Sequence, residues 1–284
     1  MILFKQIADI RSFLAIQGKT AIQTGFVPTM GALHKGHLSL IESSKKENGL
    51  TVASIFVNPT QFNDPNDFKK YPTTIEQDIY LLETAGCDIL FLPSVAEIYP
   101  KGLAAAKEYQ LGYLENILEG KYRPGHFQGV CQVVERLLQI VQPDNLYLGQ
   151  KDYQQCMVIK RLIDIMGIKT ILHICPTLRE ASGLAMSSRN MRLNDGEKEQ
   201  AAELFKTLNV IKDTLGKEAI ADIKAKAMLL LPNKGFKPDY IELADATTLE
   251  PVVEWNGQTS LVALIAAFLN EVRLIDNIIL TDSL

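Results

Sequence analysis

Gly25-Phe26-Val27-Pro28-Thr29-Met30-Gly31-Ala32-Leu33-His34-Lys35-Gly36-His37 is the stretch on which the fold turns. Gly25-Phe26-Val27 reads as a short strand, and a helix follows from about Gly36 to Lys46. A strand that runs through a glycine-containing turn straight into a helix opens a βαβ unit. Two of the chain's four histidines, His34 and His37, sit in this turn with Gly36 between them. The free N–H groups and the dipole at a helix N-terminus favour a phosphate there. Imidazoles add hydrogen-bond donors for charge building at phosphorus, and Gly36 leaves room for a base or a backbone to come close. A P-loop reading fails, because His37 and Leu38 stand where Lys and Ser/Thr are required. A plain glycine-rich turn with two solvent-facing histidines is the structural alternative.

Outward from this turn the alternation continues. Strands are expected at Thr51–Val57, Asp88–Leu92, Leu146–Leu148 and Thr170–Ile174. Helices are expected at Thr74–Thr84, Val130–Val141 and Tyr153–Met166. Strands alternating with helices of this length imply a parallel sheet covered on both faces. Ligands bind such sheets beyond the carboxyl ends of their strands, which is where the unusual polar residues after Val27, Val57 and Leu148 fall. The polar, Pro-containing stretch from Asn58 to Thr73 suggests a binding loop or lid. Near residue 176 the texture changes. Helical runs at Asp195–Leu215 and Glu218–Leu231 precede strand candidates at Asp239–Leu243, Gly257–Phe268 and Val272–Asp276. The expected layout is a large domain over 1–176 and a smaller α+β domain over 177–284.

A chain of 284 residues, 47% hydrophobic and 22% charged, is an ordinary globular protein with a core that needs no disulfides or structural metal. Its net charge of −4, with no basic block, disfavours a nucleic-acid partner. Cys87, Cys131, Cys156 and Cys175 form no CxxC pair and read as buried thiols, not a zinc site. Met1 to Lys5 lacks a signal-peptide core, and Leu261 to Leu269 is too short to span a bilayer. The expectation is a cytoplasmic protein with no membrane partner.

Four further segments carry polar chemistry. Met186-Ser187-Ser188-Arg189 offers two hydroxyls and a fixed cation for nucleotide phosphates. Gly149-Gln150-Lys151-Asp152-Tyr153-Gln154-Gln155 opens a helix, with Lys151 placed for a phosphate oxygen and Asp152 for a ribose hydroxyl or a cap. Asn58-Pro59-Thr60-Gln61-Phe62 puts two carboxamides, suited to hydroxyls and carbonyls, at a strand end. Arg123-Pro124-Gly125-His126-Phe127 supplies a guanidinium and an imidazole ahead of a helix, a contact for a carboxylate. Each has an ordinary reading as a surface turn or loop when taken alone.

Together, the His-x-Gly-His turn and the Ser-Ser-Arg loop resemble the nucleotidyltransferase superfamily. Over essentially its whole length the chain resembles the pantothenate synthetase family within it. The matching stretches are Pro28 to His37, Ser54 to Pro59 with Gln61-Phe62, Arg123 with His126-Phe127, Gly149 to Gln155, Glu180 to Asn190, and Arg273 to Asn277. The resemblance implies an α/β, Rossmann-like N-terminal domain and a smaller C-terminal domain closing over the ATP site. It implies condensation of pantoate with β-alanine through a pantoyl adenylate, with ATP as substrate and Mg²⁺ as cofactor, by a homodimer. Met30, Gly31, Ala32, Leu33, His34, Lys35, Gly36 and His37 would line the ATP site, completed by Gly149, Gln150, Lys151, Asp152, Leu178, Met186, Ser187, Ser188 and Arg189. His34 and His37 would stabilise charge at the α-phosphate, with His37 as proton donor, while Lys151 and Arg189 neutralise the departing pyrophosphate. Gln61 and Gln155 would hold the pantoate hydroxyls, Arg123 and His126 would also face pantoate, and Gln61 would lie beside β-alanine. The metal ligand stays open: Asp78 matches one acidic family position, but Gln77 stands where some relatives carry another. Two other readings remain. A nucleotidyltransferase moving AMP to a phosphate-bearing acceptor predicts a basic pocket, whereas Gln61 and Gln155 suit a neutral one. A nucleotide-binding module predicts ATP binding without turnover.

Overall fold

Phe26 and Val27 are neighbours in one strand, and both are fully buried. Successive strand residues point to opposite faces, so the sheet they belong to is covered on both sides. The computed structural model describes residues 1–18, 22–62, 65–103 and 107–281. Among these, the strands β1 (Ile2–Phe4), β2 (Thr24–Thr29), β3 (Leu50–Ile55), β4 (Ile89–Phe91), β5 (Asn145–Gly149) and β6 (Ile171–Cys175) form one sheet. Its order is β1-β4-β3-β2-β5-β6, and every pair is parallel. From β2 the chain winds outward through β3 and β4 on one side, and through β5 and β6 on the other. The topological switch therefore lies between β2 and β5, and the crevice beyond their carboxyl ends is where such sheets bind ligands.

The chain groups into two compact units, Met1–Gly149 with Val158–Pro176 and Gln150–Met157 with Thr177–Leu284. In the first, Val27, Ala53, Leu90 and Tyr147 share a core cluster with Leu40, Ile41 and Leu82 from the flanking helices Lys35–Glu47 and Ile75–Thr84. In the second, β7 (Phe236–Asp245), β8 (Leu261–Leu269) and β9 (Val272–Ile279) form an antiparallel sheet in that order. The helices Glu203–Thr214 and Ile220–Asn233 pack on it. β8 is the middle strand and is buried almost throughout, which is why Leu261 to Leu269 carries a continuous apolar run instead of an alternating one. The expected α/β sheet and the separate small sheet are both present.

Several boundaries differ from the sequence expectation. β1 was not anticipated: it is a three-residue edge strand whose Ile2 and Leu3 face solvent. The expected single helix Asp195–Leu215 is two, Asp195–Ala201 and Glu203–Thr214, hinged at Ala202. The helix expected from Val130 begins at His126, so that histidine lies inside the first turn, not ahead of it. The strand expected from Gly257 begins at Leu261. Of the loop expected from Asn58 to Thr73, Pro59–Gln61 is a 3-10 turn and Pro65–Lys69 a short helix, while residues 63–64 lie outside the described residues.

Cys87, Cys131 and Cys156 are buried and Cys175 half-buried, all as free thiols. Burial pushes the Cys87 thiol up to about 11 and the Cys131 thiol up to about 12, so both stay protonated and inert as ligands or nucleophiles. Among the described residues, no helix is long and apolar enough to cross a membrane.

Candidate active site

β2 ends at Thr29, and the chain must turn sharply to start the helix at Lys35. The turn is made by Gly31 at φ 80° and Ala32 at φ 49°, both in the left-handed region. A Cβ on Gly31 would lie 3.0 Å from Asp78 Oδ2 and 3.1 Å from Ile55 Cγ2, so a side chain there would crowd the clamp as well as strain the positive φ. Ala32 has a Cβ and is held in its unfavourable conformation from outside. The Asp78 carboxylate, fully buried on the helix Ile75–Thr84, accepts the Ala32 N–H at 2.9 Å and the Leu33 N–H at 2.8 Å. It also accepts the Thr74 hydroxyl at 3.1 Å. Thr29 Oγ1 donates to the Ser54 carbonyl at 2.8 Å and accepts the Gly31 N–H at 3.2 Å. The loop is thus clamped at Thr29, Gly31, Ala32 and Leu33.

His34 is the N-cap of the helix Lys35–Glu47 and His37 its third residue. His37 Nδ1 accepts the backbone N–H of His34 at 3.3 Å, and the two rings lie 4.0 Å apart at 35°. This has a chemical consequence. With Nδ1 as acceptor, the neutral His37 ring carries its proton on Nε2, which becomes a donor at a 13-residue helix's positive end.

The turn after β3 reaches the same place. Gln61 Nε2 lies 2.9 Å from Met30 Sδ, which joins the carboxamide turn to the histidine turn. Asn58 is buried, and its carboxamide is committed to protein: Oδ1 accepts the Tyr99 hydroxyl at 2.8 Å, and Nδ2 donates to the Gly129 carbonyl at 3.0 Å and to Gln61 Oε1 at 3.3 Å. His126 Nδ1 sits 2.8 Å from the Gln61 carbonyl oxygen, so it must be the protonated nitrogen. Its Nε2 then accepts from Arg123 Nη1 at 3.3 Å. Met30, Gln61, His126 and Arg123 thereby form one chain of contacts in which both nitrogens of His126 are engaged. Arg123 also lies 3.8 Å from Glu119.

Gly129 makes that chain possible. A Cβ there would stand 2.3 Å from the Thr60 carbonyl oxygen and 2.7 Å from the Gln61 nitrogen, both backbone atoms. Gly129→Ala is expected to lower stability by about 1–3 kcal/mol through overpacking. It should also raise the KM for the ligand of Gln61. Urea unfolding and steady-state kinetics check the two parts, and an unchanged KM would detach Gln61 from the binding role.

The second unit carries the other sequence-selected residues. Gln150, Lys151 and Asp152 form a 3-10 turn, with Lys151 Nζ 3.8 Å from Asp152 Oδ2. Arg179 and Ala185 bridge an antiparallel hairpin in which Met186 N–H donates to the Leu178 carbonyl at 3.0 Å. Ser187 caps the following 3-10 turn Ser188–Arg192 by accepting the Arg189 N–H at 3.3 Å. Asn190 Nδ2 ties that turn to the Ala185 carbonyl at 3.0 Å. Ser188 is buried, while Arg189 and Gln155 are half-buried and Leu178 is exposed.

Asp78, Asn58 and Gly129 shape the first unit's cluster, and Arg179 and Asp276 shape the second. The sequence offered Asp78 as a candidate metal ligand and Asn58 as a ligand-facing carboxamide, and gave no role to Gly129, Arg179 or Asp276; the structural parts of all five were not read from it. The hydrogen bonds of Asp78 span 45 and 46 residues and those of Asn58 reach 71, so no local pattern marks them.

A family model described as pantoate-beta-alanine ligase matches residues 2–279 of the chain. The chain belongs to the pantoate-beta-alanine ligase family. It is an ATP-dependent ligase joining pantoate to β-alanine. The pantothenate synthetase of Cytophaga hutchinsonii is 46% identical, covering 99% of each chain, and that of Bacteroides thetaiotaomicron is 44% identical, covering 93% of each. Among solved structures, the pantothenate synthetase from Thermus thermophilus matches with a TM-score of 0.90 at 39% identity, covering 99% of each chain. The pantoate-beta-alanine ligase from Francisella tularensis, complexed with beta-gamma ATP and beta-alanine, matches with a TM-score of 0.83 at 41% identity. That match covers 99% of this chain and 98% of the other.

Proposed function

We propose that the ligation runs in two steps on the residues described above. First, a pantoate carboxylate oxygen attacks the α-phosphorus of Mg-ATP. The α–β phosphoanhydride bond breaks, and pyrophosphate leaves with the electron pair. Then the β-alanine amine attacks the acyl carbon of pantoyl adenylate, AMP leaves, and the amine loses a proton. The protein makes no covalent bond, so positioning and charge stabilisation supply the rate.

The observation that carries this reading is the His34–His37 turn: a donor-bearing His37 Nε2 at a helix N-terminus, beyond the carboxyl end of β2 at the sheet's switch point. Met30 to His37, with Gly149 to Asp152, Leu178 and Met186 to Arg189, bind ATP. His34 and His37 face the α-phosphate, while Lys151 and Arg189 meet the pyrophosphate. Gln61 and Gln155 hold the pantoate hydroxyls, and Gln61 also borders β-alanine. Arg123 meets the pantoate carboxylate, with His126 holding Arg123 and Gln61 in register. Mg²⁺ enters with the nucleotide, since this ion keeps water and phosphate oxygens as ligands. We assign Asp78 to the loop and not the metal, because it is fully buried and accepts three hydrogen bonds, two of them on Oδ1.

We also assign the enzyme to the cytoplasm as a homodimer with small-molecule substrates only; the dimer rests on family resemblance, and light scattering tests it. The reaction itself is tested by following AMP and pyrophosphate from Mg-ATP and pantoate, with and without β-alanine. Sustained AMP release in step with pantothenate, only when both substrates are present, is expected. Sustained ATP cleavage with neither, or AMP transfer to a phosphate-bearing acceptor, overturns the assignment.

A further inference from the structure

Arg273-Leu274-Ile275-Asp276-Asn277 takes no part in the steps above, yet its last two residues are polar and buried in β9. The Asn277 carboxamide is fully used. Its Nδ2 donates to the carbonyl of Gln150 at 2.9 Å and to that of Lys151 at 2.8 Å, and its Oδ1 accepts from Gln150 Nε2 at 3.1 Å. A primary amide suits this task, since it offers two N–H donors and one acceptor without charge. Asp276 accepts both Arg179 Nη atoms, at 2.6 and 2.9 Å, and the Asn277 N–H at 2.8 Å. Arg179 then donates to the Gly183 carbonyl at 3.1 Å and to the Asn277 carbonyl at 3.2 Å, with its guanidinium 3.7 Å over the Phe205 ring. Asn277 is therefore held rigidly from its own side while it holds two successive carbonyls of the Lys151 turn.

We propose that Asn277 is a positioning residue for the ligation: by fixing the carbonyls of Gln150 and Lys151, it aims the Lys151 ammonium at the departing pyrophosphate. This rests on the reading of Lys151 as a phosphate contact. A side chain that must meet a developing charge loses most of its benefit when its backbone shifts by about 1 Å, a displacement that can cost about 10²-fold in rate.

The test is a double-mutant cycle on the full chain, measuring kcat for pyrophosphate release with Lys151→Ala, Asn277→Ala and the double variant at a temperature where circular dichroism shows all folded. Asn277→Ser, which keeps one donor, stands in if the alanine variant does not fold. Asn277→Ala is expected to lower kcat by about 10- to 10²-fold, and the double variant to be no slower than Lys151→Ala alone, because one pathway is broken twice. Asn277→Asp, which turns a carboxylate toward two carbonyl oxygens, should not rescue. Losses that multiply in the double variant, or a normal kcat in Asn277→Ala beside a slow Lys151→Ala, overturn the proposal. A normal Lys151→Ala is a separate result: it removes the reading of Lys151 and this proposal with it.

Discussion

Replacing His37 with alanine is expected to lower kcat by about 10²-fold or more, the usual consequence of losing one preorganised donor at a developing charge. The fold should survive, because the capping contact to the His34 N–H that alanine removes contributes on the order of 0.5–2 kcal/mol. The two roles of the ring can be separated by its two nitrogens. His37→Asn places an oxygen near the Nδ1 position and keeps the cap, but has nothing at Nε2. His37→Gln places an amide N–H near Nε2 and gives up the cap. The asparagine variant should therefore melt like the parent and turn over like the alanine variant, while glutamine restores part of kcat. A His37→Asn enzyme of near-normal turnover would remove His37 from the chemistry and leave it a capping residue.

The parallel sheet was legible because a strand buried on both faces carries adjacent apolar residues instead of an alternating pattern. Phe26-Val27, Val52-Ala53 and Leu90-Phe91 stand out against polar turns. β1 was not legible, since an edge strand exposing Ile2 and Leu3 is paired only through its backbone to β4, 87 residues away. The same limit applies to the candidate site. His34-Lys35-Gly36-His37 announces itself by composition, but the tautomer of His37 follows only from a 3.3 Å contact. Arg123 and His126 read together as a ligand-facing pair, yet His126 spends one nitrogen on Gln61, 65 residues earlier. Asp276-Asn277 looks like any polar strand end, and its partners, Arg179 and the Lys151 turn, lie 97 and 126 residues back in the chain. Local pattern names the groups that could do chemistry, whereas the long-range contacts decide which of them are free to do it.

Asp78→Ala is expected to have the largest combined effect on stability and turnover. The substitution acts on the ATP loop through its backbone, at the N–H groups of Ala32 and Leu33. Two buried N–H groups, of Ala32 and Leu33, lose their charged acceptor, and each such loss costs about 1–3 kcal/mol. The sum, about 2–6 kcal/mol, corresponds to roughly 4–12 °C in Tm for a chain of this size. Ala32 also loses what holds it at φ 49°, and its relaxation would carry the peptide of Leu33 and then His34 away from the helix N-terminus. Turnover should therefore fall by about 10²-fold even where the protein is fully folded, as expected for a displaced catalytic group. Asp78→Asn sharpens the comparison: its oxygen can take one N–H, but its amide must face the other, so it should recover little of either loss. A metal ligand behaves differently. If Asp78 held Mg²⁺, raising the ion would restore turnover in Asp78→Asn, and the loss of Tm would appear only with metal present. With the carboxylate committed to Ala32 and Leu33, turnover should not respond to added Mg²⁺, and the Tm deficit should be the same in chelator. Recovery at high Mg²⁺ would return Asp78 to the metal and leave the strained loop to be held by Thr29 alone.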